Sequence, residues 1–214
     1  RMAKAHARLT GATTVITSTQ KDSQPPNIVI IFTDDHAQHA VSAYGSKMNL
    51  TPHIDRLARD GMRFTQSFVA NSICGPSRAN LLTGLHSHAN GQTGNRAKFN
   101  DNLPTFAKSL QAHGYDTAVV GKWHISAKPN GCDHWALKRG VFYNPDFETA
   151  DGMEPSQGHT TDVITQRSLD WIGGRKDPSR PFMVWISHSA AHRTWTPATR
   201  HLTHYDDVEI PEPL

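Results

Sequence analysis

The side chains best suited to chemistry fall in four short runs. Thr33-Asp34-Asp35-His36 sets two carboxylates side by side, hard oxygen donors of the kind that hold a divalent cation. Asn71-Ser-Ile-Cys74-Gly75-Pro76-Ser77-Arg78 places a cysteine just ahead of a proline and an arginine. Gly121-Lys122-Trp123-His124 carries an ammonium and an imidazole, and Ser187-His188-Ser-Ala-Ala-His192 carries two imidazoles. The chain has 14 histidines in 214 residues, an excess that directs the search to acid–base or metal chemistry. Each run has an ordinary reading beside the chemical one. Asp35 also suits a helix or turn cap, and Cys74 and Cys132 are the two halves of a conceivable single disulfide.

Three of these runs follow predicted strands. Residues 27–32 form a continuous apolar, β-branched run, the pattern of a strand buried on both faces of a parallel sheet. Residues 115–120 and 181–186 give two more strands, and each stops abruptly at polar residues. Helical spacing is predicted over 52–62, over 103–113 ahead of Gly114, and over 160–172 ahead of Gly173-Gly174. Strand and helix alternate, which argues for an α/β fold. In open sheets of that class the ligand sits beyond the carboxyl ends of the strands, where Asp34-Asp35, Lys122/His124 and His188/His192 are delivered. The fourth run is a helix start. Pro76 suits the first helical position, and Leu81, Leu82 and Leu85 supply an apolar stripe. Cys74 then stands just before the helix N-terminus, with Arg78 reaching back toward it. A cysteine there is an activated thiolate or a group built to meet an anion.

Composition narrows the class. With 36% hydrophobic and 19% charged residues the chain is predicted to fold. A net charge of +3 without a Lys/Arg run excludes a nucleic-acid partner, and no apolar stretch is long enough for a membrane span. Two cysteines are too few for a disulfide framework. Residues 1–26 read as an N-terminal extension, a signal remnant or a disordered segment. Residues 27–214 read as the folded portion.

Cys74-x-Pro76-Ser77-Arg78 followed by Leu82-Thr83-Gly84 resembles the signature of type I sulfatases, whose cysteine is oxidised after translation to formylglycine. The resemblance covers about residues 26–214, through Asp34-Asp35, then Thr51-Pro52-His53-Ile54-Asp55, then Gly121 to His124. It implies an alkaline-phosphatase/sulfatase-like α/β fold, a mainly parallel sheet flanked by helices with its C-terminal part missing. Asn71 to Arg78, Tyr143-Asn144-Pro145-Asp146-Phe147 and Ile210-Pro211-Glu212-Pro213 look most similar to bacterial N-acetylglucosamine-6-sulfatase-type enzymes, which act on glycosaminoglycan or mucin sugars.

The resemblance further implies a sulfuric ester hydrolase acting on a sulfated carbohydrate. A thiolate would form a thiosulfate that is hard to release. In a hydrated aldehyde one hydroxyl attacks sulfur and the other then expels the sulfate. Asp34 and Asp35 are expected to share Ca²⁺ with the modified Cys74. Arg78 and Lys122 are expected to hold the formylglycine hydroxyl and the sulfate oxygens. His124 is expected to take the proton during collapse, and His192 to protonate the leaving oxygen. Ala191-His192 stands where many relatives have Pro-His, which keeps His188 as a rival. The implied partners are the substrate and a formylglycine-generating or anaerobic sulfatase-maturating enzyme. The implied location is periplasmic or secreted.

His36, His39, His53, His86 and His88 read as turn or surface residues, with His36, His86 and His88 also able to line a sugar pocket. Cys132 reads as a small apolar filler, and Trp123, Trp135 and Trp195 as packing residues rather than sugar-stacking ones. The family supplies a further metal-binding Asp with Asn or His, and a further sulfate-binding Lys, from later in the chain. After His192 only Asp206-Asp207 are found. The expectation is a truncated sulfatase, inactive by itself, or a chain completed by another one. Two alternative functions remain: a phosphonate or phosphate ester hydrolase of the same superfamily, and a non-catalytic sugar-binding remnant.

Overall fold

A computed structural model describes residues 24–210. Most of the expected N-terminal extension, and the Pro211–Pro213 end of one sequence motif, lie outside them. In chain order the elements are β1 (Ile28–Phe32), α1 (Pro52–Asp60), α2 (Cys74–Thr83), α3 (Ser87–Asn90), α4 (Phe106–Ala112), β2 (Asp116–Gly121), β3 (His134–Arg139), β4 (Asp146–Thr149), β5 (Gly152–Glu154), α5 (Thr160–Gly173) and β6 (Phe182–Ser187). The six strands make one sheet in the order β1-β6-β2-β3-β4-β5. The first four in that order run parallel, and β4 and β5 are antiparallel to their neighbours. The expected α/β architecture, a mainly parallel sheet with flanking helices, is therefore present.

Side-chain alternation along β2 and β6 divides the core in two. Val119, Met183 and Trp185 point to one face, against Ala79 and Leu82 of α2 and Ala107 of α4. Ala118, Val120, Val184 and Ile186 point to the other, against Ile164 of α5. Complete burial of a side chain such as Ile164 or Val184 is worth about 1.5–3 kcal/mol, so these two strands anchor the sheet.

Several expectations need correction. β1 is not buried on both faces: Val29 and Ile31 are 49% and 59% exposed. The reason is position, because β1 is the edge strand and α5 covers β2 and β6. Its outer face opens on a hollow shared with Ile54, Leu57 and Phe64. For the same reason α1, although periodic, buries none of its residues. The antiparallel extension β3–β4–β5 was not anticipated, since its short strands mix polar and apolar residues. The two cysteines are both free, which removes the disulfide alternative. Burial pushes the Cys132 thiol up to about 12, and the side chain packs on the first core face as an inert filler. Trp123 and Trp135 pack as expected, but Trp195 stands 75% exposed.

Gly121 joins the fold to the chemistry. Its φ of +109° is left-handed, and a Cβ there would lie 2.1 Å from the Ser187 carbonyl oxygen. That oxygen also accepts a 2.7 Å hydrogen bond from the Lys122 amide. Gly121→Ala must therefore strain the backbone and part β2 from β6. The expected cost is about 3 kcal/mol or more, read as a lowered denaturant midpoint. A loss under about 1 kcal/mol would contradict this packing argument.

Candidate active site

β1, β2 and β6 run parallel, so the residues that follow them emerge at one edge of the sheet. α2 brings its first turn to the same edge. The helix begins at Cys74 itself, with Pro76 in third place, rather than at Pro76 as expected. A proline in the first turn is tolerated because its missing N–H would have no partner within the helix. Ile73, the residue before the helix, provides no side-chain cap. Instead the amide of Gly75 donates to Asn95 Oδ1 at 2.9 Å, a capping contact across the loop that no sequence pattern marked.

Arg78 is the organising residue. It is 1% exposed, and its Nη1 donates to the Lys122 carbonyl at 2.9 Å and to Ser187 Oγ. Ser187 Oγ in turn donates to the same Lys122 carbonyl at 2.6 Å. The guanidinium lies 5.0 Å from the centre of the Phe32 ring, and its Nη2 lies 3.4 Å from Asp34 Oδ1. That last contact is an ion pair outside hydrogen-bond geometry, so Nη2 and Nε remain buried donors without an acceptor. Burial lowers the Arg78 pKa, and Asp34 opposes the shift.

Asp34 is buried and meets a second cation, the Lys122 ammonium, at its other oxygen. Burial by itself would raise the Asp34 pKa. The hydrogen bond and charge of Lys122 and the charge of Arg78 outweigh that and hold it below the ordinary value. Lys122 Nζ also lies 3.7 Å from Cys74 Sγ, so one ammonium touches both the carboxylate and the thiol. Asp34, Cys74 and His192 each bring a ligand-type atom within 4.8 Å of one another. Asp35 does not join that group. The backbone bends after β1, with Asp35 at a left-handed φ of +53°, and the Asp35 carboxylate, 59% exposed, faces His192 Nε2 at 3.7 Å.

The two histidines after β6 separate clearly. His192 faces Asp34, Asp35 and Cys74, whereas His188 has a buried Nδ1 without a partner and a pKa lowered by burial. His124 has a left-handed φ of +59° and sits on the rim. Desolvation, then the charges of Lys122 and Arg78, hold it below the usual imidazole range, so it is neutral at neutral pH. His36 lines a cavity of about 410 Å³ with Asp34, Asp35, Cys74 and Arg78. His86 and His88 stack on each other with ring centres 6.0 Å apart.

All seven sequence-selected residues thus stand on one side of the sheet edge. Ser187 was visible in the sequence only as the first polar residue after a strand. The donor set suits a hard cation in part. Asp34 and Asp35 carry carboxylate oxygens of the kind Ca²⁺ takes, but only Asp34 stands with Cys74 and His192, so the described residues supply a minority of the six to eight oxygens that ion needs. Arg78's two unpaired buried donors fit an anionic oxygen drawn into the same place.

A family model described as Sulfatase matches residues 26–212. The chain is 40% identical over 199 residues to an N-acetylglucosamine-6-O-sulfatase of Bacteroides thetaiotaomicron, covering 91% of this chain and 36% of that protein. It is 36% identical over 161 residues to human Arylsulfatase D, covering 67% of this chain and 27% of that protein. The solved structure of BT4656 in complex with its substrate D-glucosamine-2-N,6-O-disulfate superposes with a TM-score of 0.85 at 41% identity, over 88% of this chain and 39% of that one. The chain therefore spans 36% and 39% of the lengths of the first sequence match and the first structure match. A YidJ sulfatase structure from Bacteroides fragilis, 23% identical over 90% of this chain and 50% of that one, shares the fold with a TM-score of 0.79. With its signature cysteine at the start of α2, and a family match across nearly all the described residues, this chain belongs to the sulfatase family.

Proposed function

We propose that the protein carrying this chain hydrolyses sulfate esters of a carbohydrate, of the N-acetylglucosamine-6-sulfate type, through Cys74 converted to formylglycine and with Ca²⁺. The observation that carries the reading is the Lys122 ammonium in contact with both Asp34 and Cys74, with His192 completing the cluster. The names of the glucosamine sulfatases it resembles support the choice of sugar.

When present, the formylglycine supplies a hydrated nucleophile, and the metal lowers its pKa and neutralises charge on the sulfate. The remaining steps belong to the chain's own side chains. Asp34 and Asp35 would hold the cation. Lys122 and the free donors of Arg78 receive the sulfate oxygens and stabilise the charge that builds on them. His124, neutral near pH 7, accepts a proton from the hydroxyl at position 74. His192, beside Asp35, gives a proton to the departing sugar oxygen.

The test uses the full-length protein that carries this chain, co-produced with a formylglycine-generating or anaerobic sulfatase-maturating enzyme. Sulfate release from N-acetylglucosamine-6-sulfate should exceed phosphate release from the matching 6-phosphate by about 100-fold. Chelation of Ca²⁺ should remove the activity, and re-addition should restore it. Faster phosphate than sulfate hydrolysis would favour the phosphoesterase alternative. Binding without release of either group would favour the sugar-binding one.

A further inference from the structure

Beside the Cys74 site a cavity of about 450 Å³ opens at the ends of β2 and β3, lined among others by Lys122, His124, Lys138, Phe142 and His192. Gly121, the last residue of β2, is in register with Leu137 of β3, so Lys138 on β3 and Lys122 just past the end of β2 both reach this cavity. The fold therefore places two lysine side chains on the wall of one cavity.

Their surroundings differ. Lys122 is paired with Asp34. Lys138 is half-buried, its Nζ donates to the Gly140 carbonyl at 2.5 Å, and it stands 5.6 Å from the Phe142 ring centre. Among the described residues no carboxylate forms an ion pair with it. The other cations of the cavity are accounted for differently: Arg139 binds Glu148 at 3.0 Å, and Arg193 is exposed on the loop after His192. Lys138 is thus the cation on a rigid strand that lacks a counter-charge. A half-buried ammonium next to a second one is unfavourable until an anion arrives.

We infer that Lys138 forms a second anion subsite, which reads another sulfate group on the same sugar whose ester is cleaved at Cys74. The inference rests on the sulfatase reading, because it places the first sulfate at Lys122 and the second one cavity wall away. Burial, and then the charge of Lys122, lower the Lys138 pKa, the response expected of an ammonium kept without its anion. Substrates with two sulfates are chemically apt here, since the BT4656 structure was solved with a glucosamine disulfate as its substrate.

The experiment compares the matured full-length protein with its Lys138→Met, Lys138→Arg and Arg193→Met variants. The substrates are three glucosamine 6-sulfates: the N-acetyl form, the N-sulfo form, and the N-acetyl form with a second sulfate at O3. The Lys138→Met variant should lose about 10- to 100-fold in kcat/KM on one disulfated sugar, through KM, and change less than about threefold on the monosulfated one. The disulfate affected identifies the position read. Lys138→Arg, which keeps the charge, should retain most of the preference. Equal losses on all three sugars, no loss on any, or a selectivity change in Arg193→Met instead would overturn the assignment. So would a wild-type enzyme that cleaves the monosulfated sugar and rejects both disulfates. A protein that releases sulfate from none of them fails the functional reading itself, and the two failures are told apart by the monosulfated arm.

Discussion

Cys74→Ala is expected to reduce sulfate release by about 10⁴-fold or more while leaving the fold in place. The chemical half of the prediction follows from position. Cys74 is the first residue of α2, within 4.8 Å of ligand-type atoms of Asp34 and His192, and 3.7 Å from Lys122 Nζ. The other cysteine, Cys132, packs elsewhere with a thiol raised to about 12. The structural half follows from what the thiol does not do. Cys74 is only half-buried, and the helix start is held by the Gly75 amide on Asn95 and by the Ser77 amide on the Ile73 carbonyl at 2.8 Å. Backbone contacts survive the substitution, so the stability change should stay within about 1 kcal/mol. Sulfate release and a denaturant melt on the same preparation check both halves. Activity within tenfold of the parent would remove Cys74 from the mechanism.

Arg78→Ala should cost stability and activity together, about 3–5 kcal/mol of the former. The guanidinium is nearly inaccessible and ties together four things: the Asp34 carboxylate, the Lys122 carbonyl, Ser187 Oγ and the face of Phe32. Its removal leaves a cavity at the sheet edge and takes one of two cations from a buried carboxylate. Asp34 has a folded pKa below its ordinary 3.8, so its contribution is present above the unfolded value and lost as pH falls through the folded one. Without Arg78 that depression shrinks, and the acid loss of stability in the variant should begin at higher pH. Arg78→Lys keeps the charge but not the fork, and it should fall between the parent and the alanine variant. Denaturant midpoints of the three proteins across acid pH decide the matter. A cost below about 1 kcal/mol for Arg78→Ala would mean that Lys122 by itself compensates Asp34.

Much of this protein was legible in the sequence because its information is local. The apolar runs at β2 and β6, each ending at polar residues, give the parallel sheet and the edge where chemistry collects. Gly114, at φ +83°, ends α4 as a left-handed glycine should. The Cys74 to Arg78 signature needs only adjacent positions to be recognised. Other features depend on which surfaces meet, and period and propensity do not carry that information. The apolar run of β1 could not reveal that Val29 and Ile31 lie on an edge strand beyond the cover of α5. The mixed residues of 134–154 become strands because β2 presents a free edge to β3, and β4 and β5 then continue the sheet.

The site divides in the same way. Sequence determined which residue types stand at the strand ends: Asp34, Asp35, Lys122, His124, His192, and the cysteine-arginine pair of α2. Tertiary structure decided their partners. It turned Asp34 inward to two cations and Asp35 outward to His192, chose His192 over His188 as the neighbour of Cys74, and started α2 at the cysteine with Asn95 capping it from a loop. It also brought Lys138 and Lys122 to the wall of one cavity. The pairing of β2 with β3 behind it is a contact between segments distant in the chain, which is why neither lysine's local sequence could announce it.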